Sequence, residues 1–274
     1  MDQFKDKIAV ITGAGSGIGR ALALKCAAEG MRVGLADLQA GRLDTLAGQL
    51  EEAGTEVLSC ALNVADPVQV TAFSEQIGSN FGTPDLLFNN AGILRVGETW
   101  SHSFEQWQQM LSVNLMGVVN GLNAFVPGMI EAGKAGHIVN TGSVGSLVVA
   151  PGMAQYTATK MAVRGITESL LLDLKAQESP IDVSLLCPGP VLTSIGDELM
   201  GLEPRDSVAD PTEHLMAGQP DFISPDEVAE AVFQAIRERR YWIFTHPFNN
   251  HLEGLNRAML DGQNPQHREV VFDK

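Results

Sequence analysis

Short apolar runs rich in Val, Ile and Leu recur along the chain, separated by longer segments whose apolar residues return every three or four positions. The runs predict strands at Lys7–Thr12, Arg32–Asp37, Glu56–Ala61, Asp85–Asn89, Gly136–Thr141, Asp182–Cys187 and Tyr241–Thr245. The longer patterns predict helices at Gly17–Glu29, Ala40–Ala53, Pro67–Phe81, Ser103–Ile130, Ala154–Gln177 and Pro225–Glu238. Parallel neighbours need crossover connections, so strict strand–helix alternation predicts an α/β fold with helices on both faces of a doubly wound, parallel, seven-stranded sheet. Asp66-Pro67 and Ser224-Pro225-Asp-Glu227 each place a capping side chain before a first-turn proline. No linker or repeat divides residues 1–274, and a single domain is expected.

Four stretches stand out along the chain. From Pro188 to Ser224 no strand is evident, and the apolar residues Leu192, Ile195, Leu199, Met200, Leu215 and Met216 are scattered among Gly and Pro. A connection of that length is expected to be a substrate-binding loop; the alternative is a pair of short surface helices. The C-terminal extension from His246 to Lys274 carries Phe248, Leu252, Leu255 and Met259 at helix-like spacing, suited to covering either a partner subunit or a pocket. Gln106–Ile130 and Ile138–Thr159 lack charge, yet their Gln, Asn, Ser, Thr and Pro content suits a buried site wall or a subunit interface better than a membrane span.

Composition narrows the partners. Hydrophobic residues make up 45% of the 274 and charged residues 19%, a globular balance. Eighteen Lys and Arg against 33 Asp and Glu give a net charge of −15, which argues against nucleic acid as a partner. Cys26, Cys60 and Cys187 have no paired spacing, so neither disulfides nor a zinc site is expected. The charged N-terminus and its short apolar run do not make a signal peptide, and a cytoplasmic location is expected.

The first predicted strand runs directly into Gly13-Ala-Gly-Ser16-Gly17-Ile18-Gly19 and a helix. Glycines there let backbone approach a pyrophosphate that the N–H groups of the helix start can hold. A strict G-x-G-x-x-G fails, because Ile18 stands at the last glycine position. Asp37 closes the second strand, where a carboxylate can accept from both adenosine ribose hydroxyls and would repel a 2′-phosphate. Leu38 follows it, although Arg20 and Arg42 lie near enough in sequence to fold close by. NAD is therefore expected over NADP. Tyr156 and Lys160 share a helix face at i, i+4. A free phenol titrates near pH 10, and an adjacent ammonium is expected to lower that and make Tyr156 a usable acid and base. Ser143 follows the fifth strand, at the carboxyl edge where such sheets bind ligands.

With Thr12-Gly-Ala-Gly-Ser-Gly-Ile-Gly19, Asn89-Asn-Ala-Gly92, Asn114, Ser143, Tyr156-x-x-x-Lys160 and Pro188-Gly-Pro-Val-Leu-Thr193 in this order, the sequence resembles the short-chain dehydrogenase/reductase family over about residues 5 to 245. The resemblance implies a Rossmann-like fold and no metal. It implies that Tyr156 exchanges a proton with the substrate oxygen while Ser143 steadies that oxygen. Lys160 would hold the nicotinamide ribose, and Asn114 a water linking Lys160 to solvent. Gly13, Ser16, Gly17, Ile18, Gly19, Asp37 and Leu38 would bind the cofactor together with Asn90, Ala91 and Gly92. Asn63-Val64 stands where the family more often has Asp-Val beside the adenine, and Pro188, Gly189, Val191 and Thr193 would pass the nicotinamide carboxamide.

The expected activity is NAD-dependent interconversion of a bulky, mainly apolar secondary alcohol and its ketone by a homodimer or homotetramer, with no membrane partner. Val144, Leu147, Met153, Ile93, Leu94, Leu192, Ile195, Leu199 and Met200 form the expected pocket wall. Phe125-Val-Pro-Gly-Met-Ile and Tyr241-Trp-Ile-Phe also look similar to bacterial relatives acting on aryl alcohols. An NADPH-linked acyl-thioester reductase would share the catalytic group but should carry a basic residue where Asp37 stands. A non-catalytic NAD-binding protein would normally lose part of that group, and in a methyltransferase the Ser143, Tyr156 and Lys160 spacing would be accidental.

Overall fold

The computed structural model describes residues 4–195, 216, 218–219, 221–266, 270 and 272. Seven strands, β1 (Ile8–Thr12), β2 (Arg32–Asp37), β3 (Val57–Ala61), β4 (Leu86–Asn89), β5 (Gly136–Thr141), β6 (Ile181–Cys187) and β7 (Trp242–Phe244), form one parallel sheet in the order β3-β2-β1-β4-β5-β6-β7. Strand succession runs outward in one direction from β1 to β3 and in the other from β4 to β7, so the order reverses between β1 and β4. A crevice therefore opens above the carboxyl ends of those two strands.

Alternation along each strand divides the core into two layers. Ala9 and Ile11 of β1 join the cluster of Leu22, Leu46, Val232 and Phe233, contributed by α1 (Gly17–Ala28), α2 (Ala40–Glu52) and α7 (Pro225–Arg237). Ile8 and Val10 face the opposite cluster of Phe73, Ile77, Phe125 and Leu174. That layer comes from α3 (Pro67–Asn80), α5 (Gly117–Glu131) and α6 (Ala154–Ala176). The expected caps form: Asp66 accepts from the Val68 amide at 2.9 Å, and Ser224 and Glu227 close a reciprocal capping box.

The segment expected as one helix from Ser103 to Ile130 is interrupted. It begins as α4 (Phe104–Leu111), passes through a π-helical turn at Ser112–Met116 and continues as α5. A π turn holds one residue more than an α turn, and hydropathy periodicity averages over such an insertion. Phe104–Glu131 is long and apolar enough to cross a bilayer by composition, yet 44% of its most apolar window is buried inside the protein. The C-terminal extension forms α8 (Asn249–Leu260), in which no residue is buried and Met259 and Leu260 are exposed. Phe248, just before it, packs edge-on against Phe244 with ring centroids 5.3 Å apart. The glycine-rich turn before β5 is tethered, because Lys134 reaches the Thr83 carbonyl at 2.8 Å and Asp85 at 3.0 Å.

Candidate active site

The glycine loop is shaped by its neighbours. Gly13 has φ +66°, and a Cβ there would stand 2.8 Å from the Ala91 Cα. A Cβ on Gly19 would overlap the Gly13 carbonyl oxygen, so α1 can start this close to β1 only without one. Ser16 caps α1 in extended conformation without a side-chain hydrogen bond, which leaves the first-turn N–H groups and the positive end of the helix dipole to a ligand anion. The loop thus fits a pyrophosphate. Thr12 Oγ1 accepts from the Asn90 and Ala91 amides at 3.0 and 3.2 Å, and the Asn90 side chain donates to the Thr12 carbonyl at 3.1 Å. These bonds lock the ends of β1 and β4 together at the point where strand order reverses.

Asp37 Oδ2 accepts from the Gly15 amide at 2.8 Å and Oδ1 from the Gln39 amide at 2.9 Å, so the carboxylate sits beside the loop. Leu38 is exposed. Arg20 turns away to Gln49, 2.8 Å, whereas a Cβ on Gly15 would meet both the Asp37 carboxyl carbon, 3.0 Å, and the Arg42 Cβ, 3.1 Å. Asn63 Oδ1 accepts from the Ala65 amide, 3.0 Å, in an exposed turn, while Val64 is buried and its carbonyl accepts from Asn120.

Ser143, Tyr156 and Lys160 come together at the carboxyl end of β5. Ser143 opens a short 3-10 turn at Val144–Ser146, where its Oγ accepts from the Gly145 amide at 3.1 Å. Ser146 Oγ donates to the Lys160 carbonyl at 2.9 Å and ties that turn to α6. Lys160 is 3% exposed; its ammonium donates to the Thr141 carbonyl at 2.8 Å and lies 5.5 Å from the Tyr156 ring centroid. Burial pushes the Lys160 amine down to about 8. The Tyr156 phenol is pushed above its usual value by burial, and a hydrogen bond with the Ser143 hydroxyl opposes that shift. The expected lowering by Lys160 is thus not realised in this arrangement: burial sets the direction, the only opposing influence is the Ser143 hydroxyl, and the Lys160 ammonium directs its hydrogen bond to a backbone carbonyl.

The π turn buries Asn114 completely. Its Oδ1 accepts from the Ile93 amide at 2.7 Å while Nδ2 donates to the Ile93 carbonyl at 2.9 Å and to Thr159 Oγ1 at 3.3 Å. A Cβ on Gly92 would lie 3.4 Å from Asn114 Oδ1 and 3.6 Å from Lys160 Nζ, so both side chains border that glycine.

Past β6, the Pro188 carbonyl accepts from the Val144 amide at 3.0 Å. Farther on, Val191 bridges to Ile223, and Thr193 Cγ2 would be 2.8 Å from a Cβ on Gly17. Of the expected pocket wall, Ile93, Val144, Met153 and Ile195 are half-buried, while Leu94 and Leu192 are each 8% exposed. Leu147 packs against the cluster of Val118, Val163, Leu185 and Cys187. Leu199, Met200 and Leu215 lie outside the described residues. The two segments that look similar to aryl-alcohol enzymes face other neighbours. Phe125 packs on Phe73 in the core, 6.1 Å between centroids, and Trp242 stacks on Phe244 at 5.7 Å.

Sequence reasoning passed over Thr141, Ser146 and Thr159, whose polar atoms hold Lys160 and Asn114 in place. It also passed over His246, whose ring bonds Gly189 and the Asp221 carbonyl. The available signal was position: a histidine just beyond the carboxyl end of a strand lies beside the ligand crevice of such a sheet.

A family profile described as short chain dehydrogenase matches residues 7–201. A short-chain dehydrogenase/reductase from Burkholderia phymatum, solved in complex with NAD, is 37% identical and superimposes with a TM-score of 0.89, covering 99% of this chain and 100% of that one. An alcohol dehydrogenase from the archaeon Thermococcus sibiricus, complexed with 5-hydroxy-NADP, is 30% identical with a TM-score of 0.75, covering 88% of this chain and 96% of that one. A CLA biosynthesis dehydrogenase/reductase of Lactiplantibacillus plantarum is 32% identical over 96% of each chain.

Proposed function

The chain belongs to the short-chain dehydrogenase/reductase family, whose members bind a nicotinamide cofactor, and on that premise we propose that it is an NAD-dependent oxidoreductase interconverting a bulky, mainly apolar secondary alcohol and its ketone. The observation that carries this reading is the grouping of Tyr156, Ser143 and Lys160 at the crevice beside a glycine loop that accommodates a pyrophosphate. When bound, the nicotinamide supplies the hydride chemistry. Tyr156 Oη gives its proton to the substrate oxygen in reduction and takes it back in oxidation. Ser143 Oγ donates a hydrogen bond to that oxygen and fixes its position. Lys160, its amine brought down to about 8 by burial, would hold the ribose of the cofactor and sit on the proton path to Tyr156. Asn114 shapes the Gly92–Ile93 backbone beside Lys160, and on this reading it would also bind a water linking Lys160 to solvent.

Asp37 is the ground for choosing NAD, since a 2′-phosphate at the adenosine ribose would meet its carboxylate beside Gly15. Leu38, Asn63 and Val64 would border the adenine. Ser16, Gly17, Ile18 and Gly19 would take the pyrophosphate, Asn90, Ala91 and Gly92 the adenosine side, and Pro188, Gly189, Val191 and Thr193 the carboxamide. Comparing kcat/KM for NAD⁺ and NADP⁺ over a panel of secondary alcohols, followed by NADH absorbance, tests the reading. NAD⁺ should be preferred, Asp37→Ala should narrow the gap, and preference for NADP⁺ in the wild type would overturn the assignment.

The reading includes a homodimer or homotetramer built on α5 and α6. Its support is an apolar groove of about 730 Å³ between them, lined by Leu122, Val126, Ile130, Ile166 and Leu170. Light scattering at micromolar concentration should give a multiple of the chain mass; a monomer refutes this part. The reading keeps the expected cytoplasmic location without membrane partners, supported by the unpaired spacing of Cys26, Cys60 and Cys187, while the net charge of −15 disfavours nucleic acid.

A further inference from the structure

One imidazole joins three parts of the chain that are far apart in sequence. His246, just beyond β7, is 5% exposed. Its Nε2 lies 3.0 Å from the Asp221 carbonyl oxygen, which can only accept, so Nε2 carries the proton and Nδ1 is left as an acceptor. The Gly189 amide donates to Nδ1 at 3.2 Å and shares the bond with Thr245 Oγ1 at 3.3 Å. The ring of Phe272 in the C-terminal tail lies 4.7 Å from the imidazole centroid. A Cβ on Gly189 would come 2.7 Å from Nδ1 and 3.0 Å from Phe272 Cζ, so the glycine lets the strip approach this closely.

The strip from Pro188 to Thr193 touches both halves of the candidate site. At one end the Pro188 carbonyl holds the Val144 amide in the turn that presents Ser143. At the other, Thr193 presses on Gly17 of the glycine loop. Behind it, Ile223 donates to the Pro190 carbonyl at 3.3 Å and accepts from the Leu192 amide at 3.0 Å. His246 fastens that arrangement by gripping Gly189 on one side and Asp221, two residues before Ile223, on the other. The geometry points to His246 as a positioning residue: its neutral imidazole sets the strip that aligns the glycine loop with the Ser143 turn. The functional part of this inference rests on the proposed nicotinamide-dependent reading.

Protonation would place a second N–H on Nδ1, opposite the Gly189 N–H and 2.7 Å from Thr245 Oγ1, a hydroxyl that donates to the neutral ring and would have to turn to accept. Burial disfavours it and holds the imidazole below its usual value, against the Asp221 backbone hydrogen bond and the charges of Asp221 and Glu227, which favour the proton. Among the described residues, the strip and the tail ring bring no further charge to it.

Three variants of the full chain separate these contacts. His246→Asn keeps an acceptor where Nδ1 stands, His246→Gln keeps a donor where Nε2 stands, and His246→Phe keeps only the ring against Phe272. NADH affinity is read by fluorescence titration, and amide exchange is followed in peptides covering 187–195 and 221–227. His246→Phe should weaken NADH binding roughly tenfold, the scale of one or two lost hydrogen bonds, and speed exchange in both peptides. His246→Asn should recover most of the affinity and His246→Gln should not. Wild-type NADH affinity should fall as pH drops below the histidine range, and that dependence should vanish in His246→Asn. Wild-type affinity and exchange in His246→Phe would overturn the inference, as would equal losses in the Asn and Phe variants. If His246→Phe does not fold, the Asn-against-Gln difference decides alone. Slower exchange in wild type than in His246→Phe, with no NADH binding by either, supports the clasp and rejects the nicotinamide reading instead.

Discussion

The two edges of the sheet both bury polar side chains, but they complete them differently. At the amino edge, Asp85 is 5% exposed and accepts from the Ile8 amide at 2.9 Å and from Lys134 at 3.0 Å. His137 is 1% exposed and lies 2.6 Å from Ser184 Oγ, which donates its one proton to the Arg240 carbonyl; the His137 Nε2 must therefore be the donor. These networks close on themselves. At the carboxyl edge, Lys160 has three donors and meets Thr141 O, while Tyr156 and Ser143 meet each other at the crevice. Buried polarity that ends within the chain supports the fold, and buried polarity with capacity to spare is available to a ligand.

The contrast breaks most sharply at Tyr156. Tyr156→Phe keeps the ring and removes the exchangeable proton, so turnover should fall about 10²–10⁴-fold while NADH binding and thermal midpoint hold. Lys160→Ala should lower both turnover and NADH affinity. A Tyr156→Phe protein turning over near the wild-type rate would withdraw the mechanism.

At the amino edge the largest effect is on acid stability. Burial holds His137 down to about 4, against an ordinary value near 6.5. The unfolded chain binds the proton first as pH falls, so the stabilisation is fully present above about pH 6.5 and is lost toward pH 4, amounting to ~3 kcal/mol. Urea midpoints measured from pH 7 to pH 4 should decline less steeply for His137→Gln, which can still donate to Ser184, than for wild type; parallel curves would remove His137 as the cause. Asp85→Ala strands the buried Ile8 amide, and denaturant unfolding should show a loss of ~1–3 kcal/mol with unchanged NADH binding. The lysines add little, since Lys7 and Lys134 remain 31% and 39% exposed at the side chain.

Most of the framework was legible because parallel strands are near-continuous apolar runs and the crossover helices are amphipathic. Every predicted strand is present, with ends shifted by at most one residue: Lys7, Glu56 and Asp85 fall outside β1, β3 and β4, Tyr241 and Thr245 fall outside β7, and Ile181 extends β6. The grouping of Ser143, Tyr156 and Lys160 was legible through the family resemblance, since a serine at a strand end and an i, i+4 pair also arise by chance. The state of Tyr156 was not, because an ammonium's effect depends on burial and on which acceptor it reaches. The π turn left no periodic signal, and α8 carries too little buried surface to declare itself beyond its spacing. His246 is invisible to motif reading because its partners, Gly189, Asp221 and Phe272, come from three separate segments.

The π turn at Ser112–Met116 also makes the length of the chain at that point an inherited trait in its own right. Loss of one codon there would turn the wide turn into an ordinary α turn of about the same total rotation, leaving the helix downstream in place and re-aiming only the side chains within the turn, the buried Asn114 among them. Gly121, whose missing Cβ makes room for the Asn89 side chain, and Gly117, which does so for Val64, would keep their places. An in-frame deletion between 112 and 116 should therefore spare the fold and fall on the backbone at Ile93 that Asn114 holds beside Lys160.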